Sequence, residues 1–301
     1  MASKGSIMIA DSVVVITGAS SGIGAALARL LGREGARLVL GARREPELSR
    51  VAGEIDPSGS RVVHLPTDVT DVRQAERLVA TALERFGRID VLVNNAGRGH
   101  MASIEDTNDV VLMNMFSVNV FSLWYTTRPV LRAMRKQGSG HIITMASIAG
   151  KVGFPFNSAY VAAKYAAVGF THALRTELIG TNIHASVICP ASVKTDWAKV
   201  TEGASMLSLF SEAGPVIKRI ATERHATLPQ MEGVIPPERV AEAIRECILH
   251  PVPEVFTHKG SREFAELAFH DREAAETLQA PVVEGEREVY RRLMHKSDTA
   301  S

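Results

Sequence analysis

Three observations on the sequence predict a doubly wound α/β domain with a parallel sheet of about seven strands. Short β-branched runs alternate with longer amphipathic stretches over the first 190 residues; the runs are apolar throughout rather than at every second position; and turn residues mark the junctions. Such alternation builds βαβ units with right-handed crossovers, and unbroken apolar runs suit strands covered on both faces.

Taken in order, the first strand is expected at Val13–Thr17 and the first helix at Ile23–Arg33, closed by Gly35. Arg37–Leu40 reads as the second strand and Pro46–Ile55 as the second helix, with Pro57, Ser58 and Gly59 turning into a third strand at Arg61–Leu65. Val72–Phe86 follows as helix and Asp90–Asn94 as strand. A long helix over Val110–Lys136 stops at Gly138-Ser139-Gly140, before a strand at His141–Met145. Helix Ala159–Ile179 and strand His184–Cys189 complete the alternation. Beyond Cys189, five prolines (Pro190, Pro215, Pro229, Pro236, Pro237) and no clear strand predict a functional lid or small helical insert. Regular structure resumes with a helix at Glu238–Leu249, Pro237 in its first turn, and a short strand near Glu254–His258. Ser261–Ser301 reads as a charged amphipathic helix with a frayed tail. Residues 1–260 are therefore expected to form one domain, with 198–236 as its substrate lid and 261–301 as a C-terminal helical extension.

Composition narrows the function. Thirty-four Lys and Arg against thirty-three Asp and Glu leave a net charge of +1, so no basic stripe favours nucleic acid. Cys189 and Cys247 form no C-x-x-C pair, and the ten histidines show no metal-helix spacing, so neither a disulfide framework nor a metal site is expected. Met1–Ala10 lacks the apolar core of a secretory signal, and no window holds the ~18 consecutive apolar residues of a membrane span; a cytoplasmic protein is the expectation.

Thr17-Gly18-Ala19-Ser20-Ser21-Gly22-Ile23-Gly24 follows the first strand and opens the first helix. Glycines there allow a tight turn and close backbone approach to a pyrophosphate, which the helix N-terminus attracts. The turn predicts a dinucleotide and a Rossmann-like domain; without a Lys-Ser or Lys-Thr pair it does not suit nucleotide hydrolysis. After the second strand stand Arg43 and Arg44, with no carboxylate before Glu45. Two guanidinium groups suit a 2′-phosphate, so the cofactor is read as NADP(H). Tyr160 and Lys164 are four residues apart, hence on one helix face, and Ser147 follows the fifth strand at the sheet edge where such folds bind ligands.

With these motifs the chain resembles the short-chain dehydrogenase/reductase family. The resemblance rests on Thr17–Gly24, Asn94-Asn95-Ala96-Gly97, Asn119, Ser147, Tyr160-x-x-x-Lys164, and Pro190 with Thr195, and runs over roughly residues 11–197 with weaker agreement to about 258. It implies that Tyr160 is the general acid in carbonyl reduction and the base in alcohol oxidation. Ser147 would bond the substrate oxygen, Lys164 would bind the nicotinamide ribose and lower the phenol pKa, and Asn119 would complete the tetrad through a water relay. Ser20, Ser21, Gly22 and Ile23 would line the phosphate turn, Asp68 and Val69 meet the adenine, and Asn95, Ala96 and Gly97 shape the groove. Pro190, Val193 and Thr195 would anchor the carboxamide, although Ala191 stands where the family often has glycine.

Phe154, Phe156 and Trp197 flank the reacting groups in sequence and predict an apolar pocket for a hydrophobic ketone, aldehyde or secondary alcohol. The resemblance also implies a homodimer or homotetramer built through the two long helices. Three other readings stand beside the reductase: an epimerase or dehydratase on the same scaffold, a catalytically silent NADP-binding sensor or scaffold protein, and a membrane-surface protein. The last would use Arg287, Arg291, Arg292 and Lys296, among which Glu284, Glu286 and Glu288 interleave.

Overall fold

The computed structural model describes residues 7–197, 201–203 and 206–298. In chain order the elements are β1 (Val13–Thr17), α1 (Gly22–Arg33), β2 (Arg37–Ala42), α2 (Glu45–Ile55), β3 (Val62–Pro66), α3 (Val72–Phe86), β4 (Val91–Asn94) and the two-residue β5 (His100–Met101). There follow α4 (Asp109–Phe116), α5 (Ser122–Gln137), β6 (Gly140–Met145), α6 (Ser158–Glu177), β7 (Ile183–Cys189) and the two-residue β8 (Glu202–Gly203). The chain ends with α7 (Met206–Glu223), α8 (Pro237–Leu249), β9 (Glu254–Phe256), α9 (Ser261–His270) and α10 (Arg272–Asp298).

Seven strands form one parallel sheet in the order β3-β2-β1-β4-β6-β7-β9. Successive side chains of a strand face opposite sides, so one apolar run serves two cores. Val14 and Ile16 pack with Leu27, Leu31 and Ile244 on the α1/α8 side, whereas Val13 and Val15 pack with Leu78, Met134 and Leu174 on the α3/α5/α6 side. Strand order reverses between β1 and β4, and an open α/β sheet has its ligand crevice at that reversal, along the carboxyl edge.

Four departures from the sequence reading have local causes. The single helix expected over Val110–Lys136 is α4 and α5 joined by a π-helical turn at Ser117–Phe121. By length and composition, Asp109–Gln137 passes as a membrane-crossing helix, which the sequence reading excluded; here α5 packs Val130 and Met134 into the sheet core and carries Arg128 and Arg132 outward. The proline-rich stretch after Cys189 does hold a helix, α7, which runs through Pro215, but it also contains a strand, β8, paired with β5. The first lid residues, 198–200 with 204–205, lie outside the described residues, as does the expected frayed tail from 299. The C-terminal segment is two helices, broken at Asp271, whose backbone is extended (φ −141°, ψ 89°) and whose Oδ1 accepts the Ala274 N–H at 2.9 Å. Aspartate favours that N-cap role, and it starts α10 in a new direction.

Candidate active site

At the carboxyl end of β1 the backbone turns through Gly18 (φ +67°) and Gly22 (φ +55°), left-handed conformations that favour glycine. Gly24 is confined sterically instead: a Cβ there would sit 2.5 Å from the Gly18 carbonyl oxygen and 2.6 Å from Asn95 Nδ2. Asn95 holds the turn shut, its Nδ2 donating to the carbonyls of Thr17 (2.9 Å) and Gly18 (3.2 Å). Thr17 Oγ1 in return accepts the N–H groups of Asn95 and Ala96, both at 3.0 Å. The Ser21 side chain makes no capping bond to the start of α1. Bare backbone and an uncapped helix start are what a dinucleotide pyrophosphate needs, so these residues fit the cofactor.

Around the turn the strand ends bring in the other expected residues. Arg44 reaches over it, donating to the hydroxyls of Ser20 (3.3 Å) and Ser21 (2.5 Å) with Glu47 3.8 Å away; Arg43 beside it is exposed. Asp68 closes the loop after β3, its Oδ1 accepting from Thr70 N (2.9 Å) and Oγ1 (2.8 Å), and Val69 is buried. Thr195 lies against Gly22, whose added Cβ would meet the threonine methyl at 3.1 Å. Val193 is fixed by a bridge to Ile235.

The catalytic candidates converge next to Gly97. A Cβ on that residue would stand 2.9 Å from Asn119 Oδ1 and 3.5 Å from Lys164 Nζ, so only glycine leaves the space between them open. Asn119 owes its position to the π turn, a distortion that recurs at functional sites. Its Nδ2 donates to the carbonyls of Arg98 (3.0 Å) and Met115 (3.1 Å), and its Oδ1, beside Gly97, accepts a 3.4 Å contact from Arg98 N. Lys164 is buried, donates to the Met145 carbonyl at 2.9 Å, and has its ammonium 5.6 Å from the Tyr160 ring centre. Ser147 starts the short 3₁₀ turn Ile148–Gly150, its Oγ accepting from Ala149 N (3.1 Å) and donating to Pro190 O (3.3 Å). Ser147 and Tyr160 are also hydrogen-bond partners.

One electrostatic expectation is corrected. Burial pushes the Tyr160 phenol up to about 12, against the opposing pull of the Ser147 hydrogen bond, and brings Lys164 down to about 8. Desolvation penalises both charged forms, and the expected lowering of the phenol by the Lys164 ammonium is not among the influences on Tyr160. On its own the protein therefore holds Tyr160 in its acid form.

The three aromatics are not brought to one place. Trp197 has its ring centre 5.3 Å from that of Tyr160 and shares a cluster with Phe156, Met101 and Leu209. Phe154 departs from the expectation by packing into a separate core with Ile148, Val152 and Phe264 of α9. Two residues carry roles that the sequence reading missed. Tyr290 of α10 stacks on Phe156 (4.2 Å, 8° between planes), accepts the Ser103 N–H at 3.0 Å and donates to Asp106 Oδ2 at 3.0 Å. His258, buried after β9, accepts the Ala191 N–H at Nδ1 (3.1 Å) and donates from Nε2 to the Ser192 carbonyl (2.9 Å), bracing the turn where Ala191 replaces the common glycine. No periodicity links either residue to the site; only proximity after folding does.

A family model described as short chain dehydrogenase matches residues 12–204. An uncharacterized oxidoreductase of Staphylococcus saprophyticus is 42% identical over 190 residues, covering 62% of this chain and 76% of that protein. A short chain dehydrogenase/reductase from Burkholderia phymatum, solved in complex with NAD, superposes with a TM-score of 0.77 at 28% identity, covering 89% of this chain and 96% of that one. Actinorhodin polyketide ketoreductase, solved with NADPH, superposes with a TM-score of 0.68 at 30% identity, covering 85% and 97%.

Proposed function

The chain belongs to the short chain dehydrogenase family, and on that premise we propose that it is an NADP(H)-dependent oxidoreductase interconverting a hydrophobic ketone or aldehyde and its alcohol. One observation carries the reading: Tyr160 bonded to Ser147, with Lys164 and Asn119 closing on Gly97, one strand-end from an uncapped glycine turn.

When bound, the nicotinamide supplies or accepts the hydride. Tyr160 then gives its hydroxyl proton to the carbonyl oxygen in reduction and takes it back in oxidation. Its protonated state in the protein alone suits the first direction. Ser147 donates a hydrogen bond to the same oxygen as negative charge develops there. Lys164, with Asn119 Oδ1 beside it, meets the ribose and replenishes the proton. Arg43 and Arg44 favour the 2′-phosphate of NADP(H), the cofactor solved with the ketoreductase neighbour, whereas the Burkholderia phymatum neighbour holds NAD, and Trp197 and Phe156 form the apolar wall. We read it as a homo-oligomer: Val110, Met113, Phe121, Trp124 and Tyr165 expose apolar surface along α4, the π turn, α5 and α6, next to the Trp124–Phe170 ring contact.

Tyr160→Phe tests the assignment. Turnover of a ketone panel should drop by roughly 100-fold or more, the usual worth of a positioned acid, while calorimetry still detects NADPH binding. Undiminished turnover would remove Tyr160 from the chemistry.

A further inference from the structure

Glu286 lies in α10 with only 9% of its surface exposed, and among the described residues its carboxyl has no hydrogen bond or ion pair. Burial is what pushes it up to about 7. Three neighbouring charges of α10 are engaged elsewhere: Glu288 with Arg219 and Arg292 with Glu212 on α7, and Glu284 with Arg224 just past its end. Glu286 belongs to a different stripe. Seven residues before it, Gln279 Nε2 donates to the Gly153 carbonyl (2.9 Å); four residues after it, Tyr290 stacks on Phe156. Helical spacing sets these three side chains on one face of α10, the face that meets Gly153 and Phe156 in the segment joining Ser147 to Tyr160. Phe156 and Tyr290 in turn share their cluster with Trp197, the ring beside Tyr160.

Among the described residues the fully enclosed side-chain atoms without a partner do not include the Glu286 oxygens; those oxygens open onto accessible space, where a ligand can complete their hydrogen bonds. We propose, resting on the carbonyl–alcohol chemistry above, that Glu286 is the distal recognition group of the substrate site, accepting a hydrogen bond from a hydroxyl at the end of the substrate remote from its carbonyl. The aromatic wall carries the middle of such a molecule, and the α10 helix thereby sets specificity.

A matched pair of ketones tests this: 4-phenyl-2-butanone and 4-(4-hydroxyphenyl)-2-butanone, each followed by calorimetric binding to the full chain with NADPH and by turnover. The wild type should favour the hydroxylated ketone by about tenfold or more, the worth of a good hydrogen bond to a buried group. Glu286→Gln, which keeps an acceptor, should retain most of that preference; Glu286→Leu should abolish it by weakening the hydroxylated ketone alone. Equal binding of the pair by the wild type, or a preference that survives in Glu286→Leu, overturns the proposal. Preferential binding without turnover upholds Glu286 as the recognition group and rejects the oxidoreductase reading instead.

Discussion

The cofactor wall of the cleft and its α7/α10 wall differ in what brings their joining residues together. On the cofactor wall each turn follows the end of a strand, and the parallel sheet sets those ends side by side: Arg44 meets Ser21, 23 residues away, and Asn95 meets Thr17, 78 residues away. On the other wall Arg219 meets Glu288 across 69 residues and Tyr290 meets Ser103 across 187. The first wall is specified by backbone, through glycines and strand ends, and tolerates little change. The second is specified by side-chain partners on helices outside the sheet, so it can vary while the reaction stays the same.

The largest effect expected from this contrast is at Gly24. Gly24→Ala places a methyl 2.5 Å from a carbonyl oxygen, so it should lower stability by about 1–3 kcal/mol and remove measurable NADPH binding, read by thermal melting and calorimetry. Unchanged binding would break the claim that backbone shape governs the cofactor wall. Next, replacing Arg43 and Arg44 together with Ser should raise the KM for NADPH about tenfold or more while leaving NADH nearly unaffected, because charged hydrogen bonds contribute about 1.5–3 kcal/mol. Equal losses for both cofactors would assign these arginines to the fold and not to the 2′-phosphate. The smallest effect belongs to the outer face of the second wall. Arg219→Ala removes an exposed ion pair and should shift stability by no more than about 1 kcal/mol in a melting curve. A larger loss would mean that α7 and α10 are held by charge more than by Leu209, Ala213 and Val289 beneath them.

Legibility followed the same division. The strands and most helices of the sheet could be read from the sequence because local signals set them: apolar runs, Gly35 after α1 and Gly138 after α5. The catalytic candidates could be picked out because Tyr160 and Lys164 share a helix face and Ser147 follows a strand. What stayed hidden depends on distant partners. Phe154 and Phe156 are two residues apart, yet the positive φ of Phe156 (+57°) sends the chain round so that the two rings enter different cores. His258 and Tyr290 reach the site only when β9 and α10 dock, and burial, which raises the phenol, emerges only from the packed whole.

The π turn that holds Asn119 puts a surplus residue into an otherwise regular helix. The wider turn absorbs that residue, so excising one residue between Ser117 and Phe121 would let the helix run smoothly with the faces of α4 and α5 still in register. Val130 and Met134 would stay in the sheet core, while Asn119 would lose the turn that sets it beside Gly97. A single-codon loss in this stretch therefore spares the fold and costs the chemistry.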